Sequence, residues 1–553
     1  MSFGRTPLDD LRETLLSVAA GLSGSGGEGR APEGVTLERP PKPEFGDYST
    51  NAALLLAPRL GMPPREAAAQ LGAELQALVG EEVERFEVAG PGFVNLFMSD
   101  RWLRGALTAM LQAGERYGTG GTERAEKILV EFVSANPTGP MHVGHARNAA
   151  YGDALARLLA MYGHEVTREF YVNDAGTQVA KLGESILALA AGRTVPEDGY
   201  KGDYVKELAE RLAPSDAAAL DARALGKAAV GLMVAHMRGS LEVFGVGSFD
   251  HWQLESELHE GSPSRVEHAL ALLEEHGHTY RSEGALWLRT TVYGDDKDRV
   301  LVRSNGEHTY FASDIAYHQD KRERGYERQI DVWGADHHGY VARMKAAYEA
   351  LGGEAEHLEM LIMQLVHLVR SGERAQMSKR AGEFVTLDDL VTEIGVDAAR
   401  WYLLSRSHDT TIDLDLDLAR AQSSENPVYY VQYAHARIAS MLTKAGIARV
   451  AAALEEEHAV QEPLHSSERA LIKRLLELPG EVDEAAKRRA PHRIAAYALQ
   501  VAQDFTAFYR DCRVVGAEPA ALERQRIALS VAARNTIACC LEDLLGVAAP
   551  REM

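Results

Sequence analysis

Two histidines stand three apart in ANPTGPMHVGHARNAAYGD, residues 135–153, where a loop of Pro, Thr and Gly gives way to a helical pattern. A helix N-terminus carries unpaired N–H groups and about half a positive charge, which suits phosphate. His142 and His145, at i and i+3, share a face of that helix. As donors there, they can hold a phosphoryl group while charge builds on it. Gly144 removes a Cβ, so a flat base can approach the backbone. Two other readings stay open: an ordinary helix start with two surface histidines, and a metal pair. The stretch lacks the glutamate of an H-E-x-x-H zinc site, and no third ligand is suggested nearby.

A second stretch, AQMSKRAGEF (375–384), is a polar loop with Lys379 among small and flexible residues. A lysine on such a loop can reach over a triphosphate and stabilise departing pyrophosphate. Taken alone, it is also a solvated loop lysine. H-x-G-H opening a βαβ unit and M-S-K more than two hundred residues later form a specific pair.

The surrounding elements place these groups. KILVEFVS (127–134) suits a buried parallel strand, and the helix after it ends at Gly163. EVTREFYVND (165–174) is the next strand, giving the βαβ unit of a doubly wound sheet, which binds ligands at the carboxyl ends of its strands. A helical stretch at 174–240 is interrupted at Pro196 and at GYKGDY (199–204). ALWLRTT and RVLVRSNGEHTYFAS resemble strands, with Asn305-Gly306 the strongest hairpin signal. QIDVWGADHHGY (329–340) is another buried strand ending in polar groups. Beyond about 396 strands disappear, and 3.6-period helices run to the end. Upstream, residues 1–112 alternate helical and strand patterns, with VAGPGFVNLFMS (88–99) as a strand after a turn and a loop at 21–34.

The chain has 553 residues, a formal net charge of -22 and three cysteines, Cys512, Cys539 and Cys540. That length requires two to four domains. The negative total does not exclude a nucleic-acid partner, since binding depends on a local basic face. The cysteines form no spaced metal set and indicate a reducing compartment. No signal peptide and no run of about 18 apolar residues is seen, so a soluble cytoplasmic protein without a membrane association is expected.

HVGH and Gln376-Met377-Ser378-Lys379-Arg380 resemble the HIGH and KMSKS signatures of the class I aminoacyl-tRNA synthetases; the second has its first Lys and last Ser replaced. Within that class the chain is similar to the arginyl-tRNA synthetases nearly end to end. EFVSANPTGPMHVGHARNAAYGD, REFYVNDAGTQ, TYFASDIAYH, VWGADHHGY, MSKRAG and NPVYYVQYAHARI carry the resemblance, with EFGDYSTNAA and GPGFVNLF near the N-terminus. It implies a Rossmann-type doubly wound α/β catalytic domain (113–395), an N-terminal α+β module (1–112) that contacts the tRNA elbow, and a C-terminal all-α anticodon-binding bundle (396–553). The implied reaction ligates arginine to tRNA(Arg) with ATP and Mg²⁺, through an adenylate whose formation waits for tRNA. No tightly bound cofactor, no protein-held metal and a monomer are expected.

The resemblance also assigns residues. His142, His145 and Lys379 would stabilise the transferring phosphoryl group. Pro137, Gly139, Gly144, Met377 and Ser378 would line the ATP site, with Asp336 and His337 bordering the ribose. Glu131, Tyr310 and Asp314 would read the guanidinium, since carboxylates pair with it bidentately. Ser134 and Asn136 would hold the α-amino and carboxylate end, with His338 beside the amino acid. On the tRNA side stand Phe93 and Asn95 of the N-terminal module, then Tyr429, Tyr433, His435 and Arg437, and Arg489 in the basic run AKRRAPHR (486–493). Aromatics beside basic groups read splayed RNA bases; the tyrosines also sit at spacings that a helix core would use. Two rivals remain at this stage: a smaller-substrate nucleotidyltransferase, which would be far shorter, and a non-catalytic tRNA-binding relative.

Overall fold

A computed structural model describes residues 6–24, 30–212, 221–374, 385–455 and 460–553. The first element is the helix Pro7–Ser23, started by a reciprocal Thr6/Asp9 cap, so residues 21–23 of the expected loop are its last turn. Further helices of this module pack on a four-stranded antiparallel sheet in the order 37–38, 48–50, 93–98, 83–89.

The central sheet has five parallel strands: β1 (Lys127–Glu131), β2 (Glu165–Val172), β3 (His251–Leu254), β4 (Arg328–Gly334) and β5 (Leu358–Met363). Their order is β5-β4-β1-β2-β3. The chain leaves β1 toward β2 on one side and later returns to β4 on the other, so β1 and β4 flank the switch point where such sheets bind ligands. Helix α1 (Val143–Tyr162) crosses from β1 to β2 and closes on Gly163 in the left-handed region. Between β2 and β3 lies a helical insert, α2 (Gly176–Ala190), α3 (Asp203–Leu212) and α4 (Ala222–Val243), with a small core of its own.

Two expectations change. Asn305-Gly306 makes a turn closed by a single bridge, Val302 to His308, not a two-stranded hairpin. Thr309 explains this: its hydroxyl caps Ala312 and commits the chain to helix α5 (Tyr310–Glu323) at once. Strands also do not vanish after 396. Ile412–Asp415 pairs in parallel with Val366–Arg370, burying Ile412 and Leu414 while Asp413 faces outward. The period-2 alternation of TIDLDLD carried that signal. From Pro427 onward the chain is helical, ending in a π-helical turn, Cys539–Leu545.

Buried ion pairs join the layers. Asp47 of the N-terminal module accepts from Lys473 at 2.6 Å and Arg469 at 2.8 Å on the bundle. Asp153 of α1, with no exposed side-chain surface, pairs with equally buried Arg400 at 2.6 Å. It also meets Arg157 at 2.8 Å and Arg168 at 3.1 Å. Arg400 in turn donates to the carbonyls of Leu545 and Phe244. Burial pushes the Asp153 carboxyl up, but Arg400, Arg157 and Arg168 more than offset it and hold it below 3.8. A depressed carboxyl contributes stability above the ordinary carboxylate range that is lost as pH falls through and below that range. Asp153→Asn leaves Arg400 buried without its counter-charge, so the unfolding free energy in urea at pH 7 should fall by about 3 kcal/mol, with the difference from the parent shrinking below about pH 4.

Candidate active site

His142 is the N-cap of α1: its Nδ1 accepts the N–H of Gly144 at 3.1 Å, while His145 Nδ1 accepts the N–H of His142 at 3.2 Å. This is a capping box built from two imidazoles in place of Ser and Glu. The rings stack with centroids 3.8 Å apart and planes 20° from parallel. With both Nδ1 atoms accepting, the hydrogen-bond pattern assigns the proton of each neutral ring to Nε2, so each ring is a donor at that atom. A Cβ on Gly144 would stand 2.9 Å from His142 Cε1. The glycine therefore makes room for the histidine cap itself.

The backbone of 141–143 runs antiparallel to 385–387. His142 bridges Thr386, Val143 N–H donates to Val385, and Leu387 N–H donates to Met141. The residues that follow the 375–384 stretch are thus tied to the histidines. Gln376, Met377, Ser378 and Lys379 lie outside the described residues. Of the loop before the helix, Pro137 is buried, Gly139 half-buried and Asn136 exposed.

Past β1 the chain turns through positive φ at Val133 (69°) and Ser134 (39°). A β-branched residue there is a strained outlier, held only by surrounding bonds. Ser134 Oγ donates to Glu131 at 2.8 Å and accepts Tyr171 N–H at 3.1 Å. The other oxygen of Glu131 accepts from buried Lys321 at 2.6 Å, and Lys321 also reaches Asp331 at 2.9 Å. Glu131 and Ser134 are therefore engaged internally.

The carboxylates beside them are not neutralised in this way. Asp314 accepts from Tyr340 Oη at 2.5 Å, and burial pushes its carboxyl up. Glu255 is buried and pushed up to about 7, first by burial, then by Asp314 and Asp174. Asp174 accepts from Ser256 N–H and hydroxyl at 2.9 and 2.6 Å. Tyr171 feels Glu255, Asp314, Glu131 and Asp174 together. Among the described residues neither Asp314 nor Glu255 forms an ion pair, although His318 and His337 draw the Asp314 carboxyl down. Tyr310, one turn before Asp314, is 57% exposed at its rim. Glu255 and Asp174 escaped the sequence reading: Glu255 sits in an ordinary-looking ESEL, while Asp174 had the signal of lying just past a strand's carboxyl end. Asp336, His337 and His338 are exposed in the turn after β4, with His337 packed against Trp333 and near Asp314.

On the bundle, Tyr429 and Tyr433 stack 9° from parallel, and the Arg437 guanidinium lies 4.6 Å above Tyr433 and 5.4 Å from Tyr509. Beside them opens a cleft of about 750 Å³ lined by Arg437, Lys444, Arg513 and Arg551. Three other expected tRNA residues turn inward. His435 is buried against the Pro550 carbonyl, Arg489 is bidentate to Glu359 at 2.8 Å, and buried Asn95 accepts from Ser49. The lysine and the other arginines of the 486–493 run also meet acids, Lys487 with Asp483 and Arg488 with Glu484 on the exposed surface and Arg493 with Glu481. Phe93 remains exposed.

These features have counterparts in known proteins. The chain matches family models described as arginyl tRNA synthetase N terminal domain over 9–98, tRNA synthetases class I (R), catalytic domain over 106–192 and 252–439, and DALR anticodon binding domain over 431–553. It is 44% identical to an arginine–tRNA ligase of Geobacillus thermodenitrificans over 99% of both chains, and 44% identical to that of Geobacillus kaustophilus over 94% of both. The solved arginyl-tRNA synthetase of Thermus thermophilus superposes with a TM-score of 0.75 at 26% identity, over 98% of this chain and all of that one. The chain belongs to the arginyl-tRNA synthetase family.

Proposed function

We propose that this protein ligates L-arginine to tRNA(Arg) with ATP, in the cytoplasm and as a monomer. The observation that carries the reading is the meeting, past the carboxyl end of β1, of a histidine-capped helix mouth with a buried acid pocket that lacks an internal cation. ATP enters as its magnesium complex. Its base lies against Gly144 and the Pro137–Gly139 turn, its ribose against Asp336 and His337, and its phosphates face His142, His145 and Lys379, with Met377 and Ser378 alongside. Arginine's guanidinium meets Asp314 and Glu255, with Tyr310 at the rim. Ser134, Asn136 and His338 line the α-amino and carboxylate end, while Glu131, expected at the guanidinium, is taken up by Lys321. The carboxylate attacks the α-phosphorus in line and pyrophosphate leaves. The hydroxyl of the tRNA 3′-terminal adenosine then attacks the adenylate carbonyl and AMP leaves. No protein nucleophile is needed, so catalysis is positioning plus electrostatics. The aromatic and basic cleft beside Tyr433 and Arg437 is the anticodon surface, and the module carrying Phe93 meets the elbow.

Arginine attachment to purified tRNA by the full-length protein, against the other nineteen amino acids, tests the reading. Three further outcomes follow from the site. A carboxyl that titrates near 7 when empty must lose its proton to pair with guanidinium, so arginine should bind about tenfold more tightly at pH 8 than at pH 6. Calorimetry of Glu255→Gln should show weaker binding and most of that slope gone. Lys379→Ala should slow adenylate formation by about 10²–10³ with arginine affinity kept, the loss of one transition-state donor; equal losses in both would sink that role. Pyrophosphate exchange with arginine should stay at background until tRNA is added, because tRNA organises the pocket before commitment.

A further inference from the structure

The insert between β2 and β3 takes no part in the chemistry above, and the catalytic-domain family model passes over residues 193–251, which hold α3 and α4. It is nevertheless not a loose appendage. Leu182 and Ile186 of α2, Val205 and Leu208 of α3, and Leu225 and Met233 of α4 share one small core. Such a self-packed body transmits position, because a close-packed core resists continuous deformation.

This body touches both polypeptide segments that frame the helix mouth. From α3, Tyr204 Oη donates to the carbonyl of Thr138 at 3.0 Å. Thr138 is buried, and a Cβ on Gly139 would stand 3.2 Å from the same hydroxyl, so turn and tyrosine are in contact. From α4, His236 Nε2 lies 3.3 Å from Asp388, in the first turn of the helix Leu387–Ile394. Between these two contacts runs the pairing of 141–143 with 385–387. The turn Pro137-Thr138-Gly139-Pro140 is poorly equipped to hold itself, since neither proline has an N–H to donate. Its carbonyls are what remains to be fixed, and Tyr204 fixes one from outside.

We propose that the insert braces the ATP site, and that Tyr204 is a positioning residue for ATP. It holds the Thr138 carbonyl so that the turn delivers Gly139 and the His142 cap in register with 385–387. Tyr204 acts through the turn and not on the reacting atoms. The inference rests on the placement of ATP at the helix mouth given above.

Tyr204→Phe removes the hydroxyl and keeps the ring. In aminoacylation by the full-length protein, with ATP and arginine varied in turn at saturating tRNA, its KM for ATP should rise about fivefold, the loss of one neutral hydrogen bond. Its KM for arginine and its kcat should stay within about twofold. Tyr200→Phe, in the same insert core but without a hydrogen bond to the turn, should keep the parental KM for ATP. A parental KM for ATP in Tyr204→Phe overturns the brace, as does an equal rise in both KM values or a rise matched by Tyr200→Phe. Should Tyr204→Phe fail to fold, His236→Ala breaks the second contact on a half-exposed surface; a selective rise in KM for ATP there supports the brace, and its absence overturns it. A parent protein without arginine-dependent turnover would overturn the reading of the site instead.

Discussion

The reciprocal histidine cap at the start of α1 fixes more of this molecule than any other local interaction. It satisfies two of the N–H groups that a helix leaves unpaired. It fixes the tautomer of both rings at the point where the backbone of 141–143 pairs with 385–387. Because α1 is buried along nearly its whole length of about 30 Å, a shift at the cap cannot be absorbed locally. Arg147 shows the same constraint one turn further on, where it donates to the carbonyls of Gln364, Ser407 and Thr410.

Charge is distributed with equal economy. Near β1 the protein buries acids in two ways that look alike in sequence and differ in function. Glu131 and Asp331 share Lys321, a closed internal pair that holds α5 on the sheet. Among the described residues Asp314 and Glu255 have no such cation, and burial raises both carboxyls, helped at Glu255 by Asp314 and Asp174 and at Asp314 by Asp331. A buried charge left unpaired costs several kcal/mol, so burial favours the protonated form of both carboxyls, and the guanidinium proposed for this pocket would supply the missing counter-charge. On the proposed reading, selectivity would follow from that cost: a ligand without a planar, permanently charged fork leaves the same acceptors unsatisfied.

Much of this was legible in the residues. Apolar runs ending in polar groups gave β1, β2 and β4, and H-x-G-H after the first of them gave the helix mouth. The acid pocket proposed for arginine was readable only in part. Asp314 sits one turn after Tyr310 and is visible as a helical pair, but Glu255 meets it only because β3 closes the sheet. The Glu131–Lys321 pair spans 190 residues, so no local pattern announces it, and nothing in the type of Val133 or Ser134 signals positive φ. On the bundle, residue type was informative and facing was not. Tyr433 and Arg437 line an open cleft, whereas His435, two residues before Arg437, points at the Pro550 carbonyl, since adjacent helix positions diverge by about 100°. The same limit applies to 486–493, whose cations each meet an acid supplied by a helical neighbour or by β5.

Those paired cations explain how an acidic chain can be both a tight assembly and a polyanion binder. Arg489 joins the bundle to the sheet edge through Glu359, which Arg328 also holds, and Tyr151 of α1 donates to the Arg489 carbonyl. Tyr162, in the last turn of α1, donates to Asp483 of the bundle. The basic groups near the joint are thus taken up by β5 or by acids of the bundle itself, leaving the cleft beside Tyr433 as a distinct basic surface. RNA seated there would sit on a body hydrogen-bonded through Tyr151 and Tyr162 to the helix that His142 caps. That shared helix links the bundle to the helix mouth through those hydrogen bonds, so on the proposed placement of tRNA and ATP the two ligands would be mechanically coupled.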